Sequence, residues 1–152
     1  RFFTVYGPWG RPDMAYFSFT EKILKGEAIN VFNHGKMERD FTYIDDIVEG
    51  VVRIMDCIPE VQSDKFSNAQ AAYKIFNIGN NQPISLERFI SAIESATDKQ
   101  AIRNNLPMQA GDVPRTFADV SELMDEVDFK PETEIEEGIA RFVEWFETYQ
   151  AI

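Results

Sequence analysis

The sequence opens directly in a β-strand, and this start limits the folds that the chain can adopt. Residues Arg1–Tyr6 are apolar or aromatic apart from Arg1 and Thr4, and the glycines and prolines of Gly7–Asp13 follow as a loop. A strand of this apolar density normally lies inside a sheet, with partners on both sides. No initiator methionine precedes it. We therefore expect residues 1–152 to be the C-terminal portion of a protein whose upstream part completes the sheet.

Strand-like and helix-like segments alternate along the rest of the chain, which predicts a mixed α/β fold. The predicted helices are Met14–Lys25, capped by Asp13 and ended by Gly26; a helix from the capping pair Asp46 and Glu49, with an apolar stripe of Val48, Val51, Val52 and Met55; a helix capped by Ser85; Ser121–Val127; and a last helix from the capping pair Thr133 and Glu136. The later predicted strands are Ile29–Phe32 and Arg39–Tyr43, joined as a hairpin, then Tyr73–Ile78 and Ala101–Leu106, with Cys57–Ala72 as a surface insertion.

Composition excludes several classes of protein. A net charge of −11 is the wrong sign for a phosphate-backbone binder, so we expect no nucleic acid partner. One cysteine, Cys57, and one histidine, His34, supply neither a disulfide nor a Cys/His metal site. No apolar run is long enough to span a bilayer. These features predict a cytoplasmic protein with no metal and no membrane partner.

The motifs of several catalytic classes are missing from the sequence. The eight glycines form no glycine-rich dinucleotide-binding turn, and there is no G-x-S-x-G elbow, P-loop or H-E-x-x-H. No tyrosine has a lysine four positions later, as the Tyr-x-x-x-Lys pattern requires. We therefore predict that this fragment contains no catalytic residues of its own.

Three groups of polar residues remain as candidate binding residues: Thr4 with Arg11, Arg39 with Asp40, and the loop Gln109–Asp112. Arginine presents a planar fork of donors that suits carboxylate or pyrophosphate oxygens. Two such arginines favour an anionic ligand. An arginine in a Gly/Pro loop can equally form a surface ion pair, and spacing does not decide between the two.

Three blocks of sequence resemble the nucleotide-sugar epimerases of the extended short-chain dehydrogenase/reductases, and most closely their UDP-glucuronate 4-epimerase branch. These blocks are R-F-F-T-V-Y-G-P-W-G-R-P-D-M from Arg1, G-K-M-E-R-D-F-T-Y-I-D-D-I from Gly35, and P-M-Q-A-G-D-V from Pro107. The resemblance covers essentially the whole chain but only the C-terminal half of such an enzyme. Pro114–Phe117 departs from the family pattern, which leaves that stretch without an assigned role.

The resemblance implies a role for each matching residue. Arg39 would bind the UDP pyrophosphate, and Asn30, Val31 and Phe32 would flank the uracil. Thr4 and Arg11 would hold the sugar and its carboxylate, Phe2 and Val5 would line the nicotinamide, and Gln109 and Asp112 would close over phosphate and ribose. For Phe2, Val5 and Phe32, packing in the core is the alternative.

The resemblance also implies the fold and the activity of the parent protein. Residues 1–152 would form a small substrate-binding subdomain plus the last strands and helices of a Rossmann domain, with NAD held mainly by the absent N-terminal half. The parent would be a homodimer that interconverts UDP-glucuronate and UDP-galacturonate through a 4-keto sugar. The fragment alone would be inactive and would self-associate through exposed apolar surface. A dehydratase or decarboxylase on the same scaffold and a non-catalytic binding module are the alternatives.

Overall fold

A computed structural model describes residues 1–60 and 72–150 of the chain. Its strands are β1 (Thr4–Tyr6), β2 (Ala28–Phe32), β3 (Glu38–Tyr43), β4 (Pro83–Ser85) and β5 (Ile102–Leu106). Its helices are α1 (Ala15–Lys25), α2 (Ile44–Met55), α3 (Leu86–Thr97), α4 (Ser121–Val127) and α5 (Ile135–Gln150), with a 3₁₀ turn at Asn33–Gly35. The mixed α/β prediction is confirmed, and most of the predicted insertion Cys57–Ala72 lies outside the described residues.

The strands form two separate sheets. In one sheet β3 is central, parallel to β1 and antiparallel to β4, and in the other β2 runs parallel to β5. The predicted hairpin of Ile29–Phe32 and Arg39–Tyr43 is therefore wrong. Asn33, His34 and Gly35 all have positive φ, and this left-handed turn sends the chain from one sheet to the other instead of folding it back.

The segment Tyr73–Ile78 was predicted to be a strand, but it does not form one. A single parallel bridge joins Ile78 to Phe2, and the Ile78 amide donates to the Arg1 carbonyl over 2.8 Å. The side chains of Tyr73 and Ile75 are exposed, so no second strand face is buried there. The segment is apolar, but no neighbouring strand pairs with it along its length. It therefore forms a single bridge and not a β-ladder.

Two hydrophobic clusters stabilise the fold. The larger packs α1, α3 and α5 around β1, β2 and β3, and is rich in edge-on and stacked aromatic pairs. Phe41 on β3 stacks on Phe89 of α3 with ring centroids 4.6 Å apart. The smaller cluster joins Ile47 of α2 to Ile78, Ala118, Val120 and Leu123.

Three of the four predicted capping residues do not cap their helices. Ser85 does accept from the Arg88 amide as predicted. Asp13 instead pairs with Arg11, and α2 begins before Asp46, whose carboxylate accepts from the Thr133 amide. Helix α5 begins at Ile135, and Glu136 is directed to Arg88. The capping pattern alone therefore placed these starts incorrectly, because Asp13 and Asp46 interact with residues other than the first amides of their predicted helices.

The apolar stripe predicted for α2 faces outwards. Val48, Val52 and Met55 are each more than half exposed, whereas Gly50 lies against Ile78 and Phe129. The small residue allows the opposite side of the helix to approach the smaller cluster closely. The stripe therefore forms an exposed apolar surface of the described chain, whereas β1, at the edge of its sheet, is partly buried. No helix of the described residues is long and apolar enough to cross a membrane.

Candidate functional site

Two concave sites contain most of the candidate residues. The first, here the Arg39 cavity, has a volume of about 170 Å³ and a largely apolar wall. Its lining residues are Ala15, Phe19, Asn30, Phe32, Met37, Arg39, Phe41, Ile84, Leu86 and Asp112. The second, here the Arg11 cleft, has a volume of about 480 Å³. Its lining residues are Phe2, Phe3, Val5, Trp9, Gly10, Arg11, Met14 and Tyr16.

Arg39 lies at the polar end of the Arg39 cavity. Its guanidinium donates to the Glu38 carbonyl over 2.8 Å and forms an ion pair with Asp112, with Nη2 and Oδ1 2.6 Å apart. These two contacts hold the guanidinium in place. The Arg39 side chain is 22% exposed, so it still reaches solvent. A fixed and partly desolvated guanidinium beside an apolar wall is suited to a ligand with an apolar ring and an anionic group.

Asp112 belongs to a tight turn at the mouth of the cavity. The Asp112 amide donates to the Gln109 carbonyl over 3.3 Å, and its carboxylate accepts from the Val113 amide over 3.0 Å. Gly111 between them has a φ of 85°, a conformation that glycine adopts without strain. Gln109 thus shapes the turn through its backbone, while its side chain is exposed and lines neither site.

The strand β2 presents alternate side chains to the cavity. Asn30 and Phe32 line it, whereas Val31 is fully buried in the larger hydrophobic cluster. The Val31 side chain is therefore turned away from any ligand in the cavity. Asn30 accepts a hydrogen bond from Asn104 of β5 over 3.0 Å, which holds the Asn30 amide at the rim.

The Arg11 cleft is more open and its arginine is less fixed. Arg11 is strongly exposed, pairs with Asp13 over 3.2 Å and donates to the Met14 sulfur over 3.5 Å. Phe2 and Val5 of the opening segment form an apolar wall of the cleft. Thr4 lies on β1 beside them but lines neither site. The candidate residues therefore fall into two groups, with Thr4, Val31 and Gln109 outside both.

Tyr16 sets the shape of the loop that carries Arg11. Burial raises the pKa of Tyr16, and Arg11 partly opposes that rise, so the phenol stays protonated at neutral pH. Its hydroxyl occupies the space that a side chain at Gly10 would need. Only glycine fits there, and the chain can turn closely over the aromatic ring.

Sequence reasoning missed the apolar residues that make the cavity wall. Met37, Ile84 and Leu86 line it, yet their pattern is that of ordinary core residues. Asn104 was also missed, because nothing in the sequence shows that β5 pairs with β2. Among the described residues, no group of three metal-ligating side chains comes together.

The chain is similar in sequence to a family of known proteins. Residues 1–79, more than half of the chain, match the model of the "NAD dependent epimerase/dehydratase family". The chain is 50% identical to Protein CapI of Staphylococcus aureus, covering 98% of this chain and 46% of that protein. It is 48% identical to a probable UDP-glucuronate 4-epimerase of Rhizobium meliloti, covering 97% and 45%. The chain thus spans less than half the length of these curated relatives.

A solved structure of an epimerase is similar to this chain in fold. The UDP-glucuronic acid 4-epimerase of Bacillus cereus, in complex with UDP-glucuronic acid and NAD, superposes with a TM-score of 0.82 at 29% identity, covering 98% of this chain and 44% of that one. The fold class and the family resemblance predicted from the sequence are confirmed. The chain belongs to the NAD dependent epimerase/dehydratase family.

Proposed function

We propose that this chain is the nucleotide-sugar-binding portion of an NAD-dependent UDP-sugar 4-epimerase, with UDP as the part of the substrate that it holds most firmly. The Arg39 cavity is the observation that carries the proposal. Its apolar wall fits a flat base, and Arg39 and Asp112 lie together at its polar end. Arg39 would bind the pyrophosphate, Asn30 and Phe32 the uracil, and Asp112 the ribose.

The proposed substrates are UDP-glucuronate and UDP-galacturonate, interconverted at C4. The support is the likeness to a probable UDP-glucuronate 4-epimerase and to a solved structure bound to UDP-glucuronic acid. Arg11 is exposed in its cleft and its guanidinium fork is free to exchange Asp13 for the sugar carboxylate. Thr4 on the neighbouring strand would complete the sugar contacts, and Gln109 would contribute through the turn that carries Asp112.

The residues of the Arg11 cleft also fit one end of NAD. The side chains of Phe2 and Val5 offer an apolar wall of the kind that a nicotinamide ring packs against. NAD, when bound, accepts the hydride from the sugar C4 and returns it. The chain itself has no glycine-rich turn and no Tyr-x-x-x-Lys. We propose that these lie in the remaining part of a longer cytoplasmic, homodimeric protein, and that residues 1–152 alone are inactive.

The test is a calorimetric titration of the full-length gene product with UDP-glucuronate, UDP and uridine. We expect UDP and UDP-glucuronate to bind, and uridine to bind at least about tenfold more weakly because it lacks the diphosphate. Incubation with UDP-glucuronate should give the C4 epimer without net consumption of NAD. Equal affinity for uridine and UDP would refute the role of Arg39.

A dehydratase is a second candidate on the same scaffold. The solved structure of TunA, an NAD dependent-NDP-hexosamine 5,6-dehydratase, superposes with a TM-score of 0.77 at 26% identity, covering 97% of this chain and 45% of that one. The two activities differ in their products, because dehydration removes water from the sugar whereas epimerisation leaves its mass unchanged. Mass spectrometry of the product distinguishes them, and loss of carbon dioxide would instead indicate a decarboxylase.

A further inference from the structure

A buried carboxylate adjoins Arg39 in the sequence and serves no function assigned so far. Asp40 is fully buried, and no lysine or arginine of the described residues pairs with it. Its Oδ1 accepts from the Asn80 amide over 3.0 Å, and its Oδ2 accepts from the amides of Asn81 and Ala118 over 3.0 and 2.7 Å. A buried charge is costly unless it is well hydrogen-bonded, and these three backbone donors supply that compensation.

The donors come from two segments that are distant in sequence. Asn80 and Asn81 follow the bridge at Ile78, whereas Ala118 ends the segment that contains Asp112. Asp40 therefore joins the smaller hydrophobic cluster, which includes Ala118, to the central strand of the sheet.

The strand β3 holds the segment 112–118 at three successive residues. The Glu38 amide donates to the Pro114 carbonyl over 2.9 Å, and the Glu38 carbonyl accepts from the Thr116 amide over 3.3 Å. Arg39 pairs with Asp112, and Asp40 binds Ala118. Neighbouring side chains of a strand point to opposite faces. Arg39 and Asp40 therefore contact the segment 112–118 from opposite faces of β3.

We infer that Asp40 is a positioning residue for the nucleotide site: it fixes the segment 112–118 so that Asp112 meets Arg39 at the mouth of the Arg39 cavity. This role rests on the proposed function, because it concerns the same UDP site. Asp40 lines neither the Arg39 cavity nor the Arg11 cleft, and so acts only through Asp112 and Arg39.

The role requires a carboxylate and not merely a polar side chain of that size. Both oxygens of Asp40 accept hydrogen bonds from backbone amides. Asparagine would replace one of them with an NH₂ group, which has no acceptor capacity. In one orientation the NH₂ group would face the amides of Asn81 and Ala118, and in the other it would face the Asn80 amide. Both orientations also remove the negative charge that strengthens the hydrogen bond from Ala118.

The first experiment compares Asp40→Asn with Thr42→Val in the full-length gene product. Thr42 is a matched control, since it is also fully buried on β3 and accepts from the Asn80 amide over 3.1 Å, but makes no hydrogen bond to the segment 112–118. We expect Asp40→Asn to weaken UDP binding, and to raise KM, at least about tenfold with little change in kcat. Thr42→Val should lower thermal stability and leave the UDP affinity within about twofold.

A double-mutant cycle separates positioning from general stability. If Asp40 acts through Asp112, Asp40→Asn should weaken UDP binding less than about threefold once Asp112→Ala is present. Fully additive losses, or equal losses of affinity in Asp40→Asn and Thr42→Val, would overturn the proposal.

Hydrogen exchange of the unmodified protein tests the role even if Asp40→Asn does not fold. Adding UDP should slow exchange both in peptides covering Asp112–Ala118 and in those covering Asn80 and Asn81, which lie outside the cavity. UDP binding without slower exchange at Asn80 and Asn81 would overturn the positioning role alone. Absence of UDP binding by the unmodified protein would overturn the proposed function, and this role with it.

Discussion

Replacing Arg39 with methionine tests the nucleotide site most directly, because methionine keeps much of the side-chain length and removes the charge. Arg39 is the only cationic residue that lines the cavity in the described part of the chain. A hydrogen bond to a charged group contributes about 1.5–3 kcal/mol. Loss of the guanidinium also leaves Asp112 without its ion pair, at the point where the diphosphate would bind.

Together these effects give an expected loss of about 2–4 kcal/mol, or about 30- to 1,000-fold in the Kd for UDP. The assay is calorimetric titration with UDP and with uridine, which lacks the phosphates. Uridine affinity should change less than about threefold, and Arg53→Met, which removes an exposed ion pair with Glu49, should affect neither ligand. Adding Asp112→Asn to Arg39→Met should recover part of the UDP affinity. A UDP Kd within threefold of the unmodified protein would refute the assignment of Arg39.

Three further predictions follow from the packing and the charges. Val52→Asp on the exposed stripe of α2 should reduce self-association of the isolated chain, as measured by light scattering, without loss of helicity. Gly138→Ala would place a methyl group against the ring of Tyr6 and should lower the free energy of unfolding by about 1–3 kcal/mol in urea titration. The hydrogen bond from Arg88 lowers the pKa of Glu136, so the stability that this pair contributes is present at neutral pH and is lost as the pH falls through the lowered pKa; Glu136→Gln should flatten this acid limb.

The helices could be predicted from the sequence more reliably than the sheet pairing. The spacing of apolar residues located α1, α2, α3 and α5 to within a few residues, because a helix depends mainly on local contacts. Strand partners depend on residues far along the chain. The left-handed turn at Asn33–Gly35 separates β2 from β3, and no local pattern showed that β2 would pair with β5. Periodicity also could not tell which side of α2 would be buried.

The residues of the candidate site could also be predicted only in part. Family resemblance identified residues that the fold does bring together, such as Asn30, Arg39 and Asp112. The same resemblance included Val31, whose side chain the alternation of β2 places in the core. Residues chosen as a run along a strand cannot all face one ligand, because a strand turns every second side chain to the other side.

The adjacent pair Arg39 and Asp40 illustrates why part of the site lay beyond sequence reasoning. Both residues are charged and stand next to each other on β3, yet one reaches the cavity and the other is fully buried. A charged residue in the sequence is normally expected at the surface, so burial of Asp40 becomes understandable only when its three backbone donors are known. Those donors lie about 40 and 80 positions away along the chain. The local sequence thus specifies the guanidinium that a ligand would meet, while long-range folding specifies the carboxylate that holds the opposing loop in place.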